Sequence, residues 1–546
     1  MIAGTATVLR LPNTLRKILT NVSRIHATPF VGNKKMQLTR RSVMSLLGAG
    51  AAYGLLGAPT INFAEADEAG TLRVALDELP KQLDPLLYQT NPGYRTMLNI
   101  YDTLLTVDYA GDGSLQPALA ESWKRVDAQT VDLTLREGVL FHDGSPLTTE
   151  DVVFSFSTGR MFDPKSPGYG VAQQFLSTIQ SVEAVDAKTV RVKSKVPDPA
   201  LELRLTAWGS QIISRKAFEA AGGFQGFAAK PVGTGPFSVA SLSPDAVTLK
   251  AFPQYWGGKP NIETLVYRSS PELSSRIAGL AANDFDIITD VPADQFEAVT
   301  RDSNLEIVGG TVASLRIIKF DTRNEVLKDA RVRRALSLAV DRQAIVDALW
   351  QGKVDVPHGH QLPSYGPFFN PSRPGYTYDP EKAKELLTAA GYNGQTIPYR
   401  IRTAAYGPEL ATAQIVISMW EQVGVKIDLQ IVENFAQMMA YPGVGMRNGV
   451  DPVLVNDPLF GLWRSYDRSQ KDIWSNEEFF TLGDKLQSST DIEERKKANA
   501  RMMDIFDEDP PGIILHTMGV FYGKRKGVKW TPIPSVYMNF RGASLA

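Results

Sequence analysis

The chain has 546 residues, with 58 lysines and arginines against 59 aspartates and glutamates, and no cysteine. The balanced charge, with no basic block after residue 41, argues against a nucleic-acid partner. The missing cysteine excludes disulfides, thiolate metal sites and a lipid attached to a processed N-terminal cysteine. Stability must therefore come from buried cores, and the length is enough for two or three domains.

The first predicted element is an export signal. Residues 42–63 carry no charge and follow Arg40 and Arg41, but their glycines and a proline weaken them as a membrane-spanning helix. Ala64-Glu65-Ala66 has the small-x-small pattern of a signal peptidase site. We expect cleavage after Ala66 and a mature chain in the periplasm of a two-membrane bacterium.

Two features of residues 1–66 stay open. Residues 39–44 resemble a twin-arginine signal, but Val43 and Met44 replace its usual bulkier pair. The sequence is therefore compatible with export by the twin-arginine route and by the general secretory route. Translation starts either at Met1, which gives a long basic extension, or at Met36. The usual length of signal peptides favours Met36.

The mature chain alternates between strand and helix periods, which is typical of the α/β class. Residues 71–76 alternate as a strand, and an apolar stripe predicts a helix over residues 94–105. Residues 106–230 differ: two hairpins with near-identical turns and a helix opening near Thr149 predict a small α+β unit. A Pro/Gly-rich segment at residues 231–236 predicts a domain crossing.

The second half has well-marked helices. Asp329 predicts the cap of a helix that runs to Trp350, and Asp379 followed by Pro380 predicts another start. Helices are also predicted over residues 272–282 and 409–422, and strands over residues 284–288 and 425–432. Strands alternating with helices predict a largely parallel, covered sheet.

Catalytic signatures are sparse. The mature sequence has four histidines, and His358 and His360 have only Asp355 nearby at ligand spacing, so a loop is favoured over a metal site. No nucleophile elbow, phosphate loop or zinc-protease motif occurs. Residues 108–114 have the acids and glycines of a calcium loop without its spacing, which favours a hairpin turn. We expect no enzyme activity, no catalytic residue, no cofactor and no metal.

Seven motifs occur in the order expected for one known family. They are Asn99-Ile100-Tyr101-Asp102-Thr103-Leu104-Leu105, Gln116-Pro117-Ala118-Leu119-Ala120-Glu121-Ser122-Trp123, Leu135-Arg136-Glu137-Gly138-Val139-Leu140-Phe141-His142-Asp143-Gly144, Pro231-Val232-Gly233-Thr234-Gly235-Pro236-Phe237, Tyr255-Trp256, Asp329-Ala330-Arg331-Val332-Arg333-Arg334-Ala335-Leu336 and Tyr378-Asp379-Pro380-Glu381-Lys382-Ala383-Lys384. Together they resemble the extracellular solute-binding proteins, family 5, of peptide-type ABC importers.

The resemblance implies an α/β, periplasmic-binding-protein-like type II fold: a two-lobed clamshell with an additional α+β domain. On this pattern residues 1–66 are the extension and signal peptide. Lobe I combines residues 67–105, 231–309 and the C-terminal return 521–546; the additional domain is 106–230, and lobe II is 310–520.

The same resemblance implies capture of a small peptide or amino-acid conjugate between the lobes and its delivery to ABC permease subunits in the membrane, by a monomer that does not span it. The alternatives are an opine-like sugar–amino-acid conjugate, an oligosaccharide or glutathione, and a periplasmic chaperone or sensor without transport. Two arginines near the presumed cleft favour a ligand with carboxylates.

Candidate ligand residues come partly from the family pattern. In peptide-binding relatives an aspartate before a proline pairs with the ligand's amino group, and Asp457 matches that position, with Asp451 as a rival alignment and turn capping as the alternative role. Arg447 and Asn448 lie just before it, where Arg447 is a candidate partner for a ligand carboxylate.

Five further candidates rest on local context. Trp208 and Tyr406 lie in loops where relatives approach the ligand, with a core role as the alternative. Arg316 interrupts an apolar strand and needs either an internal acid or an anionic ligand group. Tyr88 and Arg95 flank the entry loop of the first lobe.

Overall fold

The structure is a computed structural model, and it describes residues 70–109, 111–403, 407–453 and 455–546. The predicted export signal, its cleavage after Ala66 and the choice between Met1 and Met36 lie outside the described residues. Among the residues described, no helix is both long and apolar enough to cross a membrane.

The strands form one large sheet, one four-stranded sheet and two small two-stranded sheets. In chain order they are β1 (Thr71–Leu76), β2 (Leu105–Val107), β3 (Leu115–Pro117), β4 (Ala120–Asp127), β5 (Thr130–Leu135), β6 (Ile179–Ala184), β7 (Thr189–Ser194), β8 (Phe237–Leu242), β9 (Ala246–Ala251), β10 (Thr264–Ser269), β11 (Ile287–Ile288), β12 (Leu305–Phe320), β13 (Thr396–Ile401), β14 (Lys426–Ile431), β15 (Met446–Pro452), β16 (Gly512–Arg525), β17 (Val528–Lys529) and β18 (Ser544–Leu545).

The large sheet has ten strands in the order β14-β13-β15-β12-β16-β11-β1-β10-β9-β8. Strand β1 runs parallel to β10 and β11, and β13 runs parallel to β14 and β15. The central pair β12–β16 is antiparallel, as are β8, β9 and β10, and a short turn reverses the chain between β8 and β9. The expectation of a largely parallel sheet is therefore wrong, because this sheet is mixed.

The four-stranded sheet β4-β5-β7-β6 confirms the two predicted hairpins. The helix beside it begins as predicted: the Thr148 side chain caps it, and the Asp151 carboxylate accepts a hydrogen bond from the Thr148 backbone amide at 3.0 Å. This sheet and its helices make up the small α+β unit.

The α-helices span Asn91–Met97, Thr149–Ser155, Tyr169–Phe175, Leu201–Arg204, Arg215–Ala220, Phe224–Ala229, Leu273–Ala281, Phe296–Thr300, Ala330–Leu338, Arg342–Trp350, Pro380–Ala389, Glu409–Gln422, Phe435–Met439, Leu462–Tyr466, Glu477–Ser488 and Ile492–Glu508. Short 3-10 turns lie at Ala293–Gln295, Pro363–Phe368, Pro458–Phe460 and Arg468–Gln470, and a π turn lies at Thr158–Phe162.

Two predicted helices have different bounds in the structure. The helix expected over residues 94–105 begins at Asn91, because Thr90 caps it, and it ends at Met97. The apolar residues beyond it are buried in irregular backbone and in β2. The helix expected from Asp329 to Trp350 is two helices, because the Asp341 carboxylate accepts the Ala344 amide at 3.0 Å and caps a second start.

The pair β12–β16 joins the two halves of the large sheet. Its register shifts between Val312 and Leu315, so the pairing is interrupted at mid-length. Gly309 of β12 has a φ of 112°, and a Cβ there would stand 2.2 Å from the Val520 carbonyl oxygen. This crossing therefore requires glycine at position 309.

We expect Gly309→Ala to lower the free energy of unfolding by at least about 2 kcal/mol, because the methyl group meets backbone and the φ is unfavourable for alanine. Urea unfolding measures the loss. Gly449→Ala in β15 is the matched control: its nearest contact, a side-chain carbon of Lys319, is at 3.7 Å, so little change is expected. Equal losses in both variants would contradict the strain argument.

Candidate functional site

A cavity of about 700 Å³ lies at the point where β12 and β16 change register. Its wall combines segments that are far apart in the sequence. They are Asn91 and Tyr94; Val107, Asp108, Tyr109, Gly111 and Gly113 of β2 and the β2–β3 turn; Phe175 and Thr206; residues 311–314 of β12; residues 355–358, 361–364 and 369–371; Pro452, Val453, Val455 and Asn456; Thr517; and residues 534–537. The cavity thus touches both halves of the large sheet and the α+β unit.

Tyrosines form one side of the wall. The ring of Tyr94 lies edge-on to the ring of Tyr537, with ring centroids 5.5 Å apart. The ring of Tyr109 is also edge-on to that of Tyr537, with centroids 6.4 Å apart. We call these three residues the tyrosine wall. Burial raises the pKa of Tyr94 and of Tyr109 to about 12, so the hydroxyls stay neutral at physiological pH. They offer ring surface and hydroxyl groups to a ligand, and no charge.

A carboxylate lies on another part of the wall. Asp355 is exposed in the segment after the helix Arg342–Trp350, and its Oδ2 accepts a hydrogen bond from the Thr311 hydroxyl at 2.8 Å. Its backbone amide donates to the Thr517 hydroxyl at 3.0 Å. Both threonines lie on the strand crossing, so β12 and β16 together fix the position of this carboxylate.

The β2–β3 turn, which carries Tyr109, also contacts residues of the segments 361–364 and 455–456 at the cavity. The Asn456 Nδ2 lies 3.5 Å from the Gly113 carbonyl oxygen, and a Cβ at Gly113 would stand 2.7 Å from the Ser364 carbonyl oxygen. The hairpin prediction for residues 108–114 is confirmed by the antiparallel pairing of β2 with β3. The turn also forms part of the cavity wall, which the sequence did not indicate.

Asp457 does not lie on the wall. Its carboxylate is buried, with both oxygens within 2.9 Å of Arg495 Nη2, and it accepts the Leu459 amide at 2.9 Å as a cap. The capping role, the alternative in the sequence, is therefore the one that the structure shows. The carboxylate that was proposed to bind a ligand's amino group is therefore already engaged in an internal ion pair with Arg495.

Asp451, the rival position, is also buried and paired internally. Lys319 Nζ lies 2.5 Å from one oxygen, while His360 Nε2 and the Tyr466 hydroxyl lie 3.1 Å and 2.9 Å from the other. Burial alone would raise the pKa of Asp451, but Lys319 and His360 hold it well below its usual range. This acid remains ionised and balances buried positive charge.

The arginines that favoured a carboxylate ligand are not wall residues. Arg316 is buried and pairs with Glu409, and Asn448 donates a hydrogen bond to the same carboxylate. Arg447 lies opposite Lys319 in the β12–β15 pairing, outside the wall. The expectation of a carboxylate clamp is corrected accordingly: the partner that Arg316 needed is an internal acid.

Of the remaining candidates, Trp208 packs against the tyrosine wall, and neither Arg95 nor Tyr88 is a wall residue. Trp208 is buried directly behind the tyrosine wall, with its ring 4.5 Å from that of Tyr94 and its Nε1 donating to the Pro85 carbonyl at 2.6 Å. Arg95 is buried in a two-bond pair with Asp290, 2.6 Å in each bond. Tyr88 packs, half-buried, against the main core. Tyr406 lies outside the described residues.

The two neighbouring histidines point to different partners. His358 Nδ1 donates to the Arg373 carbonyl at 2.7 Å, whereas His360 is buried against Asp451. In the part of the chain that the structure describes, no group of three or more histidines and carboxylates is arranged to hold a metal ion.

Sequence reasoning missed Tyr94, Tyr537 and Asp355 as wall residues. A signal existed for Tyr537, because an aromatic residue in a proline-rich segment without helix or strand pattern is often a contact residue. Asp355 had no such signal, since its position depends on a hydroxyl from a strand that lies about 40 residues earlier.

Comparison with known proteins gives the family. The model of the bacterial extracellular solute-binding proteins, family 5, middle segment, matches residues 114–469. Heme-binding protein A of Haemophilus influenzae is 28% identical over 521 residues, which cover 88% of this chain and 93% of that protein. The dipeptide-binding protein of Escherichia coli is 27% identical over 503 residues, covering 85% and 92%.

A solved structure agrees with the sequence comparison. HbpA2 from Haemophilus parasuis superposes with a TM-score of 0.76 at 27% identity, over 87% of this chain and all of that chain. The expected α/β, two-lobed type II fold is confirmed by this likeness and by the mixed sheet. The chain belongs to the bacterial extracellular solute-binding proteins of family 5.

Proposed function

We propose that the protein is the periplasmic substrate-binding component of an ABC importer and that it encloses a small peptide in the cavity. The cavity is the observation that carries the proposal. Its volume of about 700 Å³ lies within the range of roughly 300–1,000 Å³ that suits small-molecule ligands. Rings, prolines and backbone dominate its wall, which suits a solute with both apolar groups and amides.

The proposed lobes follow the sequence boundaries. Residues 67–105, 231–309 and 521–546 form lobe I, residues 310–520 form lobe II, and residues 106–230 form the additional domain. The strands β12 and β16 support this division, because both cross from one proposed lobe to the other at the cavity. Rotation about these two strands would open the cavity, and a ligand that binds the closed form more tightly would favour closure.

The relatives support peptide as the solute class. The Escherichia coli relative is named for dipeptide binding, and it is similar over most of both chains. Members of the family are transport components and not enzymes, so we propose that the bound solute is released unchanged. Export by a signal peptide that is cleaved after Ala66 completes the proposal.

A thermal-shift series tests the proposal. We expect a panel of dipeptides and tripeptides to raise the melting temperature of protein that has first been freed of bound solute, because ligand binds the folded state alone. Mass spectrometry should recover the peptide unhydrolysed. A panel without any shift, or a peptide that the purified protein cleaves, would contradict the proposed function.

Variants of the tyrosine wall locate the binding. We expect Tyr537→Ala to weaken peptide binding by about tenfold or more, the effect of losing roughly 1.4 kcal/mol of ring contact. Tyr537→Phe keeps the ring and should retain most of the affinity. Tyr378→Ala is the control, since that side chain is exposed and is not part of the wall. Equal affinity in all three variants would place the peptide elsewhere.

A further inference from the structure

We infer that the cavity selects its solute by a protonated amine, which Asp355 binds, and that it does not accept a free carboxylate inside. This inference rests on the proposed function and specifies the solute class. The preferred peptides are those whose C-terminal carboxylate is masked or lies outside the cavity.

Asp355 is arranged to receive a cation. Its Oδ2 is held by the Thr311 hydroxyl at 2.8 Å, and no lysine, arginine or histidine among the described residues forms a salt bridge with it. The paired Thr311 and Thr517 also lie on the wall, so the carboxylate is presented on a fixed support. An ammonium group with several N–H donors would find an ionised acceptor here.

Apart from one histidine, the charged side chains on the described part of the wall are negative. The charged side chains on the described wall are Asp108 and Asp355, and His358 lies there with its Nδ1 donating to a backbone carbonyl. None of the described wall residues is a lysine or an arginine.

Two cations on β12 and one beside Tyr94 are paired with acids outside the wall. Arg316 pairs with Glu409, Lys319 pairs with Asp451, and Arg95 pairs with Asp290. Removing Arg316 or Lys319 from its partner would leave a buried carboxylate unpaired, which is strongly unfavourable, and removing Asp290 would leave the buried guanidinium of Arg95 unpaired. These cations are therefore held by the fold, and a ligand carboxylate would meet like charge where the described part of the wall has no lysine or arginine.

The tyrosine wall favours the same ligand charge. The faces of tyrosine rings carry negative potential and attract ammonium groups, whereas they repel carboxylates. Tyr94, Tyr109 and Tyr537 are held against one another by their edge-on contacts, so their faces and hydroxyls keep fixed orientations around the cavity. The carboxylates and the rings thus act in the same direction.

Titration calorimetry with three forms of one dipeptide tests the inference. The probes are alanyl-phenylalanine, its C-terminal amide, and the N-acetylated amide. We expect the amide to bind more tightly than the free dipeptide, and acetylation of the amine to weaken binding by about tenfold or more, the size of one charge-assisted hydrogen bond.

Asp355→Asn is the matched variant. It should remove the preference for the free amine over the acetylated form while leaving the melting temperature unchanged, because Asp355 is exposed. Thr311→Val, which removes the hydroxyl that holds Oδ2, should reduce the same preference in part. Glu325→Gln changes an exposed acid outside the wall and should leave the preference intact.

The outcomes separate the inference from the proposed function. If the acetylated and free-amine forms bind equally, or if the free carboxylate strengthens binding, the inference is overturned while peptide binding stands. If none of the three probes binds and no other peptide raises the melting temperature, the proposed function fails as well. An unchanged amine preference in Asp355→Asn would also overturn the inference.

Discussion

Arg316→Met is expected to lower the free energy of unfolding by about 3–5 kcal/mol, the loss measured when one partner of a buried ion pair is removed. Arg316 and Glu409 are both almost fully buried, with side-chain exposures of 2% and 1%. The substitution leaves the Glu409 carboxylate with Asn448 as its remaining polar contact among the described residues. Urea unfolding at neutral pH measures the loss.

The reason for this large effect is the charge that remains. Burial already raises the pKa of Glu409, while Arg316 and Asn448 oppose the rise. Without the arginine the pKa rises further, so the deficit of the variant should shrink as the pH falls and Glu409 becomes protonated. A deficit that does not depend on pH would point to lost packing as its cause.

A double variant and a surface variant complete the test. Arg316→Met with Glu409→Leu removes both charges and should recover most of the stability, because an apolar pair of similar volume often replaces a buried ion pair without loss. Arg331→Met breaks an exposed pair with Asp329 and should cost less than about 1 kcal/mol. Similar losses in Arg316→Met and Arg331→Met would show that burial does not set the effect.

Arg316 also shows how far sequence reasoning reaches. A charge inside the apolar strand predicts that a partner is needed, because an unpaired buried charge is too costly. The partner is Glu409 at the start of a helix 93 residues later, and the identity of that acid depends on the sheet order. The sequence therefore indicates that a partner is required and not which residue it is.

Features that depend on neighbouring residues were predictable from the sequence, whereas features that depend on distant residues were not. The helix Glu409–Gln422 and the cap Asp379–Pro380 depend on neighbouring residues, so their positions agree with the structure. The second cap at Asp341 is local too, but an uninterrupted apolar pattern concealed it. The spacing of apolar residues alone therefore does not reveal where one helix ends and the next begins when both helices bury the same side.

The candidate site was less predictable because its wall is assembled from distant segments. Tyr94 and Tyr537 are more than 400 positions apart and in ring contact. Family resemblance led to Asp457 and Arg447, whereas the wall of this chain contains Asp355 and the tyrosines. Fold and family follow from motifs that build the scaffold, while ligand contacts come from less regular positions of the chain.

Acid is expected to destabilise the protein through His516. This residue is buried in β16, where its Nδ1 donates to the Thr517 carbonyl at 2.7 Å and its ring lies 5.3 Å from that of Trp350. Burial lowers the pKa of His516 from 6.5 to about 4, and Arg316 contributes in the same direction. The folded state therefore keeps the imidazole neutral over a pH range in which the unfolded chain protonates it.

The sign of the effect follows from proton binding. Between pH 6.5 and about 4 the unfolded state binds a proton that the folded state does not, so stability falls as the pH falls through this window. The full shift corresponds to about 3 kcal/mol. Above this window both states are neutral, and His516 makes no contribution to the pH dependence.

His516→Gln isolates this contribution, since glutamine keeps a polar side chain without a titration in this range. We expect the variant to lose less stability than the parent chain between about pH 7 and about pH 4.5, when the free energy of urea unfolding is compared at each pH. His358→Gln is the control, because that histidine is exposed and should leave the slope unchanged. Parallel pH curves for the parent chain and His516→Gln would assign the acid sensitivity to other groups, whatever the stability of the variant at neutral pH.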